Sequence, residues 1–227
     1  MESGKTKIFI HVGPHKTGTT FLQKEVFPKI KDINYVLRVA IDTPIVEGKV
    51  NLLSDENLDG GTYRVFRTVG NQRTIAKNLH GMFPNAKIII CLRNKDKWLQ
   101  SAWKQYSVAY YAYPFKKYCE LLDEEMTDFE AYAEFLKTLF KDVYICHYED
   151  LVLNPEKFVK DLCDYMGVET PKFENKIVYP SITDGQLKFL QTFDKIFRLK
   201  VIHFVLSLCI KFVRKDEMFS KFFGKKV

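Results

Sequence analysis

An apolar run, Lys7-Ile-Phe-Ile-His-Val12, passes directly into Gly13-Pro-His-Lys-Thr-Gly-Thr-Thr20, and this junction narrows the folds open to the chain. The run is rich in β-formers, and the loop is built on Gly13 and Gly18. Beyond it Leu22, Val26 and Ile30 recur at a spacing of four with Phe27 beside them, which predicts a helix. A strand that turns through glycines into a helix offers backbone N–H groups and the positive end of the helix dipole to an anion. The loop nearly satisfies the nucleotide-triphosphatase pattern G-x-x-x-x-G-K-[ST], because Gly13 and Gly18 are correctly spaced. It departs from that pattern at Thr19, which stands where the lysine belongs, while the loop's lysine, Lys16, lies nearer the strand. The residues describe a phosphate loop that is not of the ATPase kind.

A second segment adds a cation. Ala86-Lys-Ile-Ile-Ile-Cys-Leu-Arg93 reads as a buried strand with an arginine at its carboxyl end, followed by a helical stretch carrying Trp98, Ser101, Ala102 and Gln105. Arg93 and Ser101 are eight residues apart, so a guanidinium fork and a hydroxyl donor can address one anion. Taken singly, a Gly-rich turn is a tight connection, Arg93 a surface ion-pair partner and Ser101 a helix-surface residue. Their combination, in order and at strand ends, is what carries the reading.

The two motifs together resemble the sulfotransferases that use 3′-phosphoadenosine 5′-phosphosulfate (PAPS), over roughly residues 7–180. The resemblance implies that Pro14, His15, Lys16, Thr17, Gly18, Thr19 and Thr20 form the loop that grips the 5′-phosphosulfate. It implies that Arg93 and Ser101 hold the 3′-phosphate. His147-Tyr-Glu-Asp-Leu151 with Asn154-Pro155 is similar to the family's downstream strand-to-helix segment. The implied reaction moves a sulfuryl group from PAPS to a hydroxyl or amine, on a carbohydrate or glycolipid, with no metal. Lys16 is the expected partner of the bridging oxygen. Glu56, within Leu52-Leu-Ser-Asp-Glu-Asn57, resembles the glutamate that carbohydrate sulfotransferases place after the corresponding strand, and is the expected base. Asp55 is the neighbouring alternative and His80 a weaker one. The plainer reading of this segment is a helix start capped by Ser54. A P-loop nucleotide kinase and a non-catalytic nucleotide-binding scaffold are the competing functions.

The chain of 227 residues suits one α/β domain, and an apolar content of 46% excludes a disordered one. Five scattered cysteines with no C-x-x-C argue against a zinc site or a disulfide framework. Charge is uneven: residues 1–185 hold 25 Lys+Arg and 25 Asp+Glu, and residues 186–227 hold ten and three, so the whole +7 lies in the tail. A neutral catalytic portion makes a nucleic-acid partner a poor expectation. The start of the chain leads straight into the first strand, so no signal peptide is expected and the expected location is cytoplasmic.

Elsewhere the chain alternates. Lys49–Leu53 and Val143–His147 are strand candidates, Thr68–Phe83 and Asp128–Phe140 helix candidates, and Asn154-Pro155 an N-cap followed by a first-turn proline. The expected fold is a three-layer α/β/α domain on a central parallel sheet over residues 1–185, with a C-terminal helical extension over 186–227. Aromatics Trp103, Tyr106, Tyr110, Tyr111 and Tyr113 suit either a sugar-binding surface or a core. In the extension Leu187, Leu190, Phe197, Val201, Val205, Leu208 and Phe212 form a stripe edged by basic residues. That stripe fits a peripheral helix on anionic membrane, a helix docked on its own domain, or a dimer contact; the chain's oligomeric state is left open.

Overall fold

Strands that are apolar on both faces need cover on both sides, and the computed structural model shows how this chain supplies it. It describes residues 6–40, 42–60, 69–175 and 181–197. Strands β1 (Lys7–Val12), β2 (Ile33–Leu37), β3 (Val50–Asp55), β4 (Lys87–Leu92) and β5 (Val143–His147) form a sheet ordered β2-β3-β1-β4-β5. Each neighbouring pair is parallel, as crossover helices require. Side chains alternate across it. Ile10, Val12, Leu53, Ile88, Ile90 and Leu92 enter one core, while Phe9, Leu52, Ile89 and Cys91 enter the other. The expected three-layer parallel fold is the one observed.

The first core is covered by α2 (Val69–Met82), α3 (Lys95–Ala109), the short α4 (Phe115–Glu120) and α5 (Phe129–Leu139). The second is covered by the segment after the glycine loop, by α6 (Tyr148–Leu153) and by α7 (Pro155–Met166). That post-loop segment begins as α1 (Thr19–Phe21), widens to a π turn over Leu22–Val26 and tightens to a 3-10 turn over Phe27–Lys29. The Phe27 N–H bonds back to the Leu22 carbonyl, and the wider turn brings Leu22, Val26 and Phe27 together to the inner face. Asn154 caps α7 by accepting from the Lys157 N–H at 3.0 Å, with Pro155 next in line.

Three features go beyond the sequence reading. Strand β2 was not expected. It is a short edge strand with Asn34 as its second residue, and that asparagine is used: its amide donates to Asn51 Oδ1 at 2.8 Å. The boundary drawn at 185/186 falls inside α8 (Asp184–Phe197), whose Leu187 and Leu190 pack with Val108, Ala112 and Ile182. The start of the extension is therefore docked on its own domain, and residues 198–227 lie outside the described residues. Of the aromatics after Ser101, Tyr106 is buried between Tyr110, Tyr113 and Tyr118, Trp103 is half-buried with its indole N–H donating to the Tyr113 carbonyl at 2.7 Å, and Tyr110 is exposed. Among the described residues no helix is long and apolar enough to cross a membrane, and Cys91, Cys119, Cys146 and Cys163 are free thiols.

Candidate active site

Ligands of a parallel sheet bind beyond the carboxyl ends of its strands, where the order reverses. Here β1 has β3 on one side and β4 on the other, and the chain crosses from one side to the other between β3 and β4. The glycine loop leaves β1 there, Asp55–Asp59 leaves β3, and Arg93 leaves β4.

The loop's shape follows from two left-handed residues, Lys16 at φ 70° and Gly18 at φ 89°. Gly18 is required twice over. Its φ disfavours any side chain, and a Cβ there would sit 2.5 Å from Leu151 Cδ2 and 3.4 Å from the Tyr148 ring. The loop is also pinned from within and without. The Thr17 hydroxyl donates to the Pro14 carbonyl at 2.6 Å, the Arg93 Nη1–H to the Lys16 carbonyl at 2.6 Å, and the Trp98 Nε1–H to the His15 carbonyl at 2.6 Å. Arg93 lies over the Tyr148 ring at 4.3 Å, and its burial pulls its pKa below the usual arginine range. Its Nε–H is buried and has no hydrogen-bond partner among the described residues, so the guanidinium keeps a donor for a further acceptor.

The carboxylates come from β3. Glu56 opens a 3-10 turn, Glu56–Asp59, and its Oε2 lies 3.9 Å from His15 Nε2. Asp59, fully buried, lies 3.8 Å from His15 Nδ1. His15 of the loop is thus bracketed by two carboxylates. The cap of this turn is Asp55, which accepts from the Asn57 N–H at 2.9 Å. That corrects the reading of Ser54 as the cap, because Ser54 is still in the strand and points inward. It also ties the Asp55 carboxylate to its own turn and weakens it as an alternative base.

His80 falls elsewhere. It sits on the last turn of α2, where the helix returns to the amino end of β4, and packs edge-on against Phe140 at 5.3 Å. That is the opposite edge of the sheet from the loop, so His80 is withdrawn as a base. Ser101 is buried in the second turn of α3, and among the described residues no hydrogen bond joins it to Arg93. The structure therefore groups Pro14–Thr20, Arg93 and Glu56 at one sheet edge, with Ser101 on the helix that leaves it. Sequence reasoning missed Asp59, Tyr148 and Leu151 as neighbours of the loop. Trp98 was legible as an aromatic five residues past Arg93, but its bond to the loop was not.

A cavity of about 320 Å³ opens between α2 and α5, lined by Gln72, Arg73, Glu125, Asp128, Ala131 and Tyr132. It adjoins the β3 turn, since a Cβ on Gly60 would lie 3.2 Å from Gln72 Cα, and burial, helped by the Asp59 charge, holds the Tyr132 phenol above its usual pKa. The Gln72 amide and the Tyr132 hydroxyl are buried without partners among the described residues. No described group of three or more His, Cys, Asp or Glu residues could hold a metal ion.

Residues 71–172 match the model of the sulfotransferase family. Among solved structures, a sulfotransferase from Alicyclobacillus acidocaldarius is similar at a TM-score of 0.51 and 17% identity, over 86% of this chain and 93% of that one. At that identity the likeness is one of fold. Mouse sulfotransferase SULT7A1 complexed with PAP aligns at a TM-score of 0.45 and 17% identity, over 82% of this chain and 63% of the mouse chain. No curated protein matches the chain.

Proposed function

We propose that the chain, whose residues 71–172 match the sulfotransferase family model, acts as a member of that family and transfers a sulfuryl group from PAPS to a hydroxyl or amine of a carbohydrate or glycolipid. The observation that carries the reading is the meeting of the Gly13–Thr20 loop, Arg93 and Glu56 at the carboxyl ends of three adjacent parallel strands. PAPS supplies the activated sulfuryl group. Sulfuryl transfer, like phosphoryl transfer, asks the protein to align the partners and to stabilise charge on the leaving oxygen.

The residues present fit such a donor. A Cβ on Gly13 would meet Thr19 Oγ1 at 3.4 Å, Thr17 Oγ1 at 3.7 Å and His11 Nε2 at 3.8 Å, so the backbone there is closely surrounded by polar atoms. Thr17 and Gly18 would hold the 5′-phosphate by backbone N–H donors, Thr19 and Thr20 by hydroxyl and backbone donors, and Lys16 would neutralise the bridging oxygen. Arg93, with its unpartnered Nε–H, and Ser101 would take the 3′-phosphate. Glu56 is partly exposed beside His15, where an acceptor hydroxyl can lose its proton to it. The unpartnered Gln72 amide and Tyr132 hydroxyl near the cavity support a hydroxyl-rich acceptor, because such a ligand would satisfy them.

Titration calorimetry with adenosine 3′,5′-bisphosphate, together with a screen of sugar acceptors and radiolabelled PAPS, tests this reading. Binding of the bisphosphate without magnesium and label transfer to a carbohydrate are expected. Stabilisation by ATP–magnesium and not by the bisphosphate would favour a nucleotide kinase, and bisphosphate binding with no turnover would favour a scaffold. Glu56→Gln should retain bisphosphate affinity while kcat falls by about 10²–10⁴-fold, the usual contribution of a positioned base. Wild-type kcat in that variant would dismiss Glu56 as the base.

A further inference from the structure

Beneath the loop lies a polar chain that the donor-binding residues do not use. His11 of β1 is fully buried, and its Nδ1 is 2.8 Å from Ser54 Oγ. Ser54 Oγ also receives the Gln23 Nε2–H at 3.0 Å. Gln23 comes from the segment after the loop and Ser54 from β3, so three adjoining elements meet at this point. The directions of these bonds follow from their donors. With Gln23 donating, the Ser54 oxygen accepts, and His11 Nδ1 is the one acceptor that the described residues offer to its hydroxyl hydrogen. Nδ1 therefore accepts, and a neutral ring must carry its proton on Nε2. Burial keeps the ring neutral, with its pKa lowered to about 4.

That leaves an Nε2–H donor, buried and without a partner among the described residues. It faces the loop: Nε2 and the hydroxyls of Thr17 and Thr19 all lie within 3.8 Å of the point a Gly13 Cβ would occupy. The Thr17 hydrogen is committed to the Pro14 carbonyl, so toward the interior its oxygen can only accept. With the Thr17 hydrogen so committed, Thr19 is the donor in the 3.5 Å contact between the two hydroxyls, and the His11 N–H lies below the pair without a bond to either. A buried, unpaired N–H is unfavourable, and a small closure of the loop would relieve it.

We infer that His11 is a positioning residue of the donor site: at the end of a Gln23–Ser54–His11 relay, its Nε2–H backs the Thr17 and Thr19 hydroxyls and sets the loop for the anion it takes up. This rests on the reading that the loop binds PAPS. The role explains why a buried strand of an apolar core carries a histidine and a serine side by side in register.

Two measurements on the full chain test it, with adenosine 3′,5′-bisphosphate as the probe. Nitrogen-15 spectra of histidine-labelled protein should show His11 as the Nε2–H tautomer, with an Nε2 resonance that moves when the bisphosphate is added. His11→Phe should weaken bisphosphate binding by about three- to tenfold, the weight of one hydrogen bond, and His11→Gln should recover part of it because its amide places a donor near the Nε2 position. The same variants should raise the KM for PAPS more than they lower kcat. Should His11→Phe fail to fold, Ser54→Ala removes the relay without altering the ring, and the Nδ1–H tautomer should then appear. An Nδ1–H tautomer in the wild type would overturn the inference, as would bisphosphate binding unchanged in His11→Phe. Absence of bisphosphate binding in the wild type would overturn the donor reading itself and this inference with it.

Discussion

Arg93 holds the Lys16 carbonyl, stacks on Tyr148 and retains an unpartnered Nε–H, so one side chain fixes the loop and faces the space beside it. Arg93→Ala should cost about 1.5–3 kcal/mol in bisphosphate affinity, the range for hydrogen bonds to charged groups, and calorimetry reads it directly. Discrimination between ligands with and without the 3′-phosphate should fall with it. His11 leaves a different signature. Its pKa lies near 4 in the folded chain and near 6.5 in a model compound, so the unfolded chain binds the proton first as pH falls. The stabilising contribution is complete above about pH 6.5 and is lost as pH drops toward 4, at most about 3 kcal/mol. Urea unfolding at pH 7.5 and pH 4.5 should show wild type losing more stability over that interval than His11→Phe.

At the scale of elements, the loop is moulded by its neighbours as much as by its own glycines. Helix α6 sits against Gly18, with Leu151 2.5 Å from the place a Cβ would take. Gly18→Ala should therefore be destabilising by about 1–3 kcal/mol from its left-handed backbone alone, with the contact to Leu151 added. Thermal unfolding of Gly18→Ala, Leu151→Ala and the double variant separates the two terms. The double variant should be more stable than the sum of the singles implies, by about 0.5–3 kcal/mol, because Leu151→Ala relieves the contact and leaves the backbone term. Purely additive losses would show that the backbone conformation alone demands the glycine. The strands β1, β4 and β5, the Asn154–Pro155 helix start and the loop were legible because each carries a local signal: an apolar run, a cap, a pair of glycines. The edge strand β2 was not, because the asparagine near its start is satisfied by the Pro44 carbonyl and by Asn51 of the neighbouring strand, ten and seventeen residues away.

For the whole molecule, the docking of α8 decides how much of the C-terminal stripe is core. Leu190 is fully buried with Val108, Ala112 and Ile182, and the Gln191 amide donates to the Tyr113 carbonyl at 3.3 Å. Leu190→Ala should lower stability by about 2–5 kcal/mol in urea unfolding, the usual cost of emptying a core leucine site. A helix merely resting on the surface would give a change within about 0.5 kcal/mol. The Lys104–Asp184 pair at the same contact should matter little, since Asp184 is largely exposed and water screens it. Helical periodicity showed that this stripe must be covered, but the covering surface lies on α3, some eighty residues earlier in the chain.

The sequence by itself determined the local grammar: a parallel α/β sheet, a glycine loop at the end of its first strand, and an arginine at the end of a later one. Each of these rests on the spacing and type of neighbouring residues, which act over a few ångströms along the chain. Tertiary structure alone decided which groups meet. It set Glu56 and Asp59 around His15, placed Trp98 and Arg93 on the loop's carbonyls, moved His80 to the far edge of the sheet, and buried Tyr106 among its neighbouring tyrosines. These outcomes depend on strand order and on the direction in which each helix returns, and residues 40 to 80 positions apart hold no local record of either.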